Sequence, residues 1–166
     1  MAAGFAQFQS NDKAGQIADL FTYQAFKATT LGGSVEFVGA VPASGVDGQT
    51  LGNGWELVAC EVGALTNTTH DTSESITATV EKSDGGTSML ATDPVLTSAA
   101  GTGPRSSAQG TESVRGVPDA TEADRRLADF GGFIITLTEA GSGGTGASDV
   151  YAVVTFKRVQ NFDPTA

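Results

Sequence analysis

Along much of this chain the hydrophobic residues recur at a spacing of two, and the runs in which they do so define its predicted elements. Val35, Phe37 and Val41 stand among Ser34, Glu36 and Ala40, while Ile76, Ala78 and Val80 alternate with Thr77, Thr79 and Glu81. Phe133, Ile135 and Leu137 share one side of a later run, and Val150, Ala152, Val154 and Phe156 share one side of the last. Period two places each set on one face of an extended strand, with polar partners facing out. Trp55 to Leu65 is a further strand. Ser83-Asp84-Gly85-Gly86 is a turn that folds Thr87 to Leu96 back as a shorter strand, and Pro94 puts that strand at a sheet edge. The stretch from Arg126 to Lys157, two runs of β-branched and aromatic residues flanking a glycine-rich connector, reads as a closing β-hairpin.

The N-terminal stretch has a different rhythm. Phe5 and Phe8 stand in a small, polar setting over residues 1–9. Ser10-Asn11-Asp12 can cap a short helix with Ile17, Leu20, Phe21, Gln24 and Ala25 at helical spacing, ended by Gly32-Gly33. The predicted organisation is an N-terminal arm over 1–30 that can carry a short helix, then a domain over 31–166. Six or more amphipathic strands must stack or close to hide their apolar faces. The expected fold is therefore all-β: an antiparallel sandwich of the jelly-roll kind.

Composition agrees with this picture. A chain of 166 residues with 22 glycines and only 17% charged residues suits one sheet domain with many turns. The net charge of −10 argues against nucleic-acid binding, because phosphate neutralisation needs clustered Lys and Arg. The single cysteine, Cys60, excludes an intrachain disulfide and reads as a small buried thiol in a strand. No basic segment followed by an apolar run opens the chain, and no apolar run reaches the length of a membrane span. The expectation is a protein made in the cytoplasm of its host, without membrane contact.

Motifs that resemble chemistry fail on context. Gly141-Ser-Gly-Gly-Thr-Gly146 matches a dinucleotide-binding string, but a strand follows it where a helix is required, so a flexible connector is expected. His70, Asp71 and Ser73 crowd a hydrolase's residue types into one turn with no orienting geometry. Asp119, Glu122 and Asp124, like Asp71 with Glu74, lack a calcium loop's ligand alternation. One His and one Cys cannot make an ordinary zinc site. Asn67-Thr68-Thr69 is a formal sequon whose use requires a secretory route. The expectation is no enzyme, no cofactor and no metal.

Residues 98–126 interrupt the strand rhythm with a long insertion that is poor in apolar side chains and holds Arg105, Arg115, Arg125 and Arg126. Such a loop is either functional or a solvated flexible insertion. If functional, its guanidiniums offer bidentate bonding to a partner's carboxylates. Phe5, Phe8 and these four arginines are the candidate partner-binding residues.

The run from Ser75 to Gly101 reads as strand, tight turn, second strand and small-residue exit. After the insertion, Leu127-Ala128-Asp129 leads into Phe133-Ile-Ile-Thr-Leu-Thr-Glu139 and the closing strand to Lys157. This order resembles the β-sandwich modules of tailed-bacteriophage virion proteins, above all capsid decoration (cement) proteins, over about the C-terminal two-thirds of the chain. The arginine-bearing insertion departs from the simple version of that pattern. The resemblance implies a jelly-roll-like sandwich, often a homotrimer, that binds the major capsid protein lattice on the outer surface of the virion and reinforces it. It brings no catalytic residues. A second expectation, from a different class, is a receptor- or glycan-binding module of a tail or head fibre. Trp55 or Tyr151 would then be an exposed platform on a concave face.

Overall fold

A computed structural model of the protein describes residues 2–9, 20–44, 54–66, 75–97, 114–141 and 148–159. Among the described residues twelve strands and one helical turn are formed: β1 (Ala2–Gln9), β2 (Leu20–Lys27), β3 (Ser34–Ala40), β4 (Trp55–Thr66), β5 (Ser75–Lys82), β6 (Leu90–Thr92), β7 (Val95–Thr97), β8 (Val114–Arg115), β9 (Val117–Pro118), α1 (Glu122–Arg125), β10 (Arg126–Leu127), β11 (Gly132–Ala140) and β12 (Ser148–Arg158). The first sheet runs β1-β2-β12-β4-β10, with β8 also on β4, and the second runs β3-β11-β5-β7. A two-stranded ribbon, β6-β9, completes the set. Every pairing is antiparallel. The long strands β2, β4 and β12 lie in the first sheet and β3, β5 and β11 in the second, so the chain crosses between sheets repeatedly, as in a jelly roll.

The period-two sets form the core. Ile76, Ala78 and Val80 of β5, Phe133, Ile135 and Leu137 of β11, and Val150, Ala152, Val154 and Phe156 of β12 are all fully buried. At the centre the Phe133 and Phe156 rings lie 5.0 Å apart, and Phe21 lies 6.1 Å from Phe156 and 6.0 Å from Trp55. Each such ring contributes roughly 1.5–3 kcal/mol by leaving water. Trp55 keeps its one polar group satisfied by donating from Nε1 to the Pro42 carbonyl at 2.8 Å. A Cβ on Gly39 would come within 2.4 Å of the Phe133 ring, so only glycine lets β3 pass over it.

Cys60 is buried in β4, as expected. Burial, with smaller contributions from Asp93 and Glu61, pushes its thiol up to about 12. The Ser83–Gly86 turn closes as expected, with Lys82 N donating to Thr87 O at 2.9 Å and Gly86 at φ +66°. Pro94 separates β6 from β7, and β7 is an edge of its sheet.

Three expectations are corrected. The helix expected through Leu20, Phe21, Gln24 and Ala25 is instead strand β2, held between β1 and β12. Phe21 and Ala25 are buried four residues apart, which imitates a helical face. The residue between them, Tyr23, also turns to the core, its ring 5.3 Å from Phe133 in an edge-to-face contact. Its hydroxyl leans out toward the Val38 carbonyl at 3.4 Å, so a period of two was hidden by a polar tip.

The expected closing hairpin is also absent. β11 pairs with β3 and β5, whereas β12 pairs with β2 and β4. The two strands bury their apolar faces against each other across the core, and alternation alone cannot distinguish facing from pairing. Of the Gly141–Gly146 string only Gly141 lies within the described residues.

The third correction concerns the insertion. Its first part, 98–113, lies outside the described residues, but from Val114 onward it is tied down. Arg115 pairs with Glu61 in the β4–β8 ladder, Gly116 N donates to Cys60 O at 2.9 Å, and Asp119 N donates to Met89 O at 3.0 Å. Backbone groups of β4 and of the β6 region supply these bonds, and residue type does not announce them.

Candidate interaction surfaces

Phe5 and Phe8 lie in β1, an outer strand of the first sheet. The arm folds back on its own chain: all eight residues pair with β2, Phe8 opposite Phe21 and Phe5 opposite Gln24. Residues three apart fall in rows belonging to opposite faces of a strand. Among the described residues no strand pairs with the far side of β1. The segment AAGFAQFQ contains neither charge nor proline, the features by which proteins ordinarily guard an exposed edge. By contrast, β7 has three residues and follows a proline, β10 has two, and β3 carries Glu36.

The arginines have partners within the chain. Arg115, well exposed, donates from Nε to Glu61 Oε1 at 2.9 Å, and its Nη2 also contacts that oxygen. Arg125 donates to Glu56 Oε1 at 2.8 Å and to the carbonyls of Asp119 and Ala120 at 2.8 and 2.9 Å. Arg126 lies 2.9 Å from Glu122 and 3.5 Å from Glu56. Glu56 thus joins Arg125 and Arg126 into one cluster, with Arg115 apart on Glu61. Burial alone would push the Glu56 carboxyl up, but the Arg125 and Arg126 guanidiniums together hold it below its ordinary value. Arg125 is most of the way buried and fastens α1 to β4. Arg105 lies outside the described residues.

The acidic turn is likewise occupied. Asp119 Oδ1 accepts a bond from Thr121 N at 2.7 Å, and Glu122 faces Arg126. Among the described residues no group of three or more His, Cys, Asp or Glu side chains could hold a metal ion. His70, Asp71, Ser73, Glu74 and the sequon lie outside the described residues. Trp55 is fully buried and offers no platform to a sugar. Tyr151 is half-buried on the outer side of the first sheet, its ring over Gly63, where a Cβ would come within 2.4 Å of the hydroxyl.

Sequence reasoning missed one feature. Between β10 and β11 the chain turns through Ala128-Asp129-Phe130-Gly131, closed by Gly131 N donating to Ala128 O at 2.8 Å. Phe130 has φ +61° and is 74% exposed. A residue with a Cβ in this left-handed region costs roughly 1–2 kcal/mol, and such a turn position ordinarily takes Gly or Asn. The turn is fastened on both sides. Asp129 Oδ1 accepts from Ser44 N at 2.9 Å and Ser44 Oγ at 2.5 Å, and Ser44 Oγ accepts from Gly54 N at 3.1 Å. Val41 N donates to Gly131 O at 3.0 Å. The signal in the sequence was an aromatic residue at a turn position directly before Gly131-Gly132, where a glycine would have been easier.

No family model matches the chain, and no curated protein matches it. Among solved structures it is similar to a chain in the structure of infectious bursal disease virus, Gx strain, at a TM-score of 0.41 and 14% identity. The match covers 97% of this chain and 33% of the other, so this chain spans about a third of that chain's length.

Proposed function

We propose that this protein is a virion structural protein, a capsid decoration protein that binds the outer face of the capsid lattice as a homotrimer and stabilises it. The observation that carries the reading is β1, an eight-residue edge strand without charge or proline on a body of net charge −10. An acidic surface keeps copies apart in solution, while an unguarded edge offers a row of backbone donors and acceptors to a neighbouring strand. A jelly roll with an unguarded edge strand suits a protein whose work is to bridge neighbours. The resemblance of the sequence pattern between Ser75 and Lys157 to decoration proteins supports the same reading, and the burial of Trp55 removes the clearest platform for the glycan-binding alternative.

The test adds purified protein to particles assembled without it. Saturable binding at hundreds of copies per particle, with a higher capsid melting temperature, is expected. Phe5→Lys with Gln7→Lys, which places two charges in one row of β1, is expected to lower lattice affinity at least tenfold while the protein melts within about 2 °C of wild type. Failure of the wild-type protein to saturate the lattice, or a handful of copies per particle, sinks the proposal.

A further inference from the structure

Phe130 combines two properties that are separately uncommon and together informative. It is the most exposed large hydrophobic residue among those described, and its backbone is held where a Cβ is disfavoured. Single exposed apolar residues need no explanation, but a bulky residue held at positive φ does. The turn cannot relax locally, because Asp129 is bonded to Ser44, Gly131 O to Val41 N, and Leu127 is paired with Trp55 in the β10–β4 ladder. The ring therefore projects from a fixed mount, so little backbone entropy remains to be lost when it meets a partner.

The neighbourhood indicates what that partner presents. Ser83 N donates to Gly132 O at 3.1 Å, which brings the turn holding exposed Asp84 to the same end of the sandwich as Phe130. Glu122 lies at this end too, on α1, which Lys82 Nζ joins through the Ala123 carbonyl, but its carboxylate is taken up by Arg126. The cations here are engaged: Arg125 and Arg126 face Glu56 and Glu122, and Lys82 faces Ala123 O. An aromatic knob beside exposed Asp84, on a chain of net charge −10, complements an apolar pocket with a basic rim.

We infer that Phe130 is the anchor by which this protein docks on the capsid lattice protein, its ring filling a phenyl-sized apolar pocket rimmed by Lys or Arg. The inference rests on the decoration reading and adds to it a specific contact, at a site separate from β1. Phe130→Gly and Phe130→Asn, both suited to the left-handed turn, are compared with wild type for binding to particles assembled without this protein, at 0.1 and 0.5 M NaCl. Both variants are expected to melt no lower than about 2 °C below wild type and to lose at least about 30-fold in affinity. The loss persists at high salt, because it is apolar. Wild-type-like affinity of both variants, beside saturable wild-type binding, overturns the inference and leaves the decoration reading standing. A changed oligomeric state of the variants in sedimentation, with lattice affinity intact, also overturns it, by assigning the contact to a second copy of the chain. No lattice binding by wild type overturns both.

Discussion

Replacing Asp129 with alanine tests whether the turn that bears Phe130 is held as tightly as its geometry indicates. Asp129 Oδ1 accepts two bonds, from the backbone N–H and the hydroxyl of Ser44, a residue only 4% exposed. Without the carboxylate both donors lose their acceptor where water has little access. Each unsatisfied buried donor costs roughly 1–3 kcal/mol, although the hydroxyl recovers part of this by rotating. The net expectation is about 3 kcal/mol, or a fall in melting temperature of about 6–12 °C for a domain of this size. Asp129→Asn keeps an acceptor oxygen in place and is expected to lose only about 2–4 °C. Differential scanning calorimetry at pH 7 on wild type, both variants, Ser44→Ala and the Ser44→Ala/Asp129→Ala pair closes a double-mutant cycle. A coupling of about 1 kcal/mol or more is expected, because the two side chains share one hydrogen bond and Ser44 Oγ passes the network on to Gly54 N. The reasoning is refuted if Asp129→Ala melts within 2 °C of wild type, or if the two substitutions are additive.

Two further outcomes follow from the ionisable groups. Arg125→Met removes the principal partner of Glu56 and is expected to destabilise by about 2 kcal/mol at pH 7. Because the Glu56 carboxyl lies below its ordinary value of 4.5 in the folded protein, the stability it supplies is present above that pH and is lost as the pH falls through the folded value. The gap between wild type and Arg125→Met in thermal melts should therefore narrow below pH 4.5, and a gap constant with pH contradicts the assignment. Cys60, with its thiol at about 12 against an ordinary 9, is expected to ignore a disulfide exchange reagent until denaturant is added. Its raised value means stability present below pH 9 and lost as the pH rises toward 12, a loss that Cys60→Ala should not share. Rapid labelling of the native protein would show that β4 opens or that the thiol is reachable.

Neutralising the arginines of the insertion, the candidate partner-binding residues, acts on the fold as well as on any partner contact. Arg125 and Arg126 hold α1 and β10 against β4 through Glu56, so their removal acts on folding as well as on any surface. Arg115 is the best separated of the described three, since it is well exposed and bonded to a single side chain, Glu61.

Where one face of a strand is buried and the other wet, the sequence by itself determined the element. The sets at 76–80, 133–137 and 150–156 occupy the core as their alternation required, and Cys60 lies buried among them. Charge, glycine content and the sheet-forming pattern also sufficed for the all-β class. Which strand lies beside which was decided only in three dimensions. β11 and β12 are joined by a connector long enough to cross the core, and an amphipathic strand satisfies its apolar face equally well in either sheet. β2 shows the same limit on a smaller scale: Phe21 and Ala25 fit a helix until β12 and β1 offer ladders on both sides and the Tyr23 ring finds Phe133. The bonds of Arg115 to Glu61, of Arg125 to Glu56 and of Asp129 to Ser44 join residues 54 to 85 positions apart, separations at which local pattern carries no information. Phe130 belongs to that second class. Its place before two glycines was visible in the chain, but its left-handed backbone and projecting ring exist only because the loops around it hold the turn fixed.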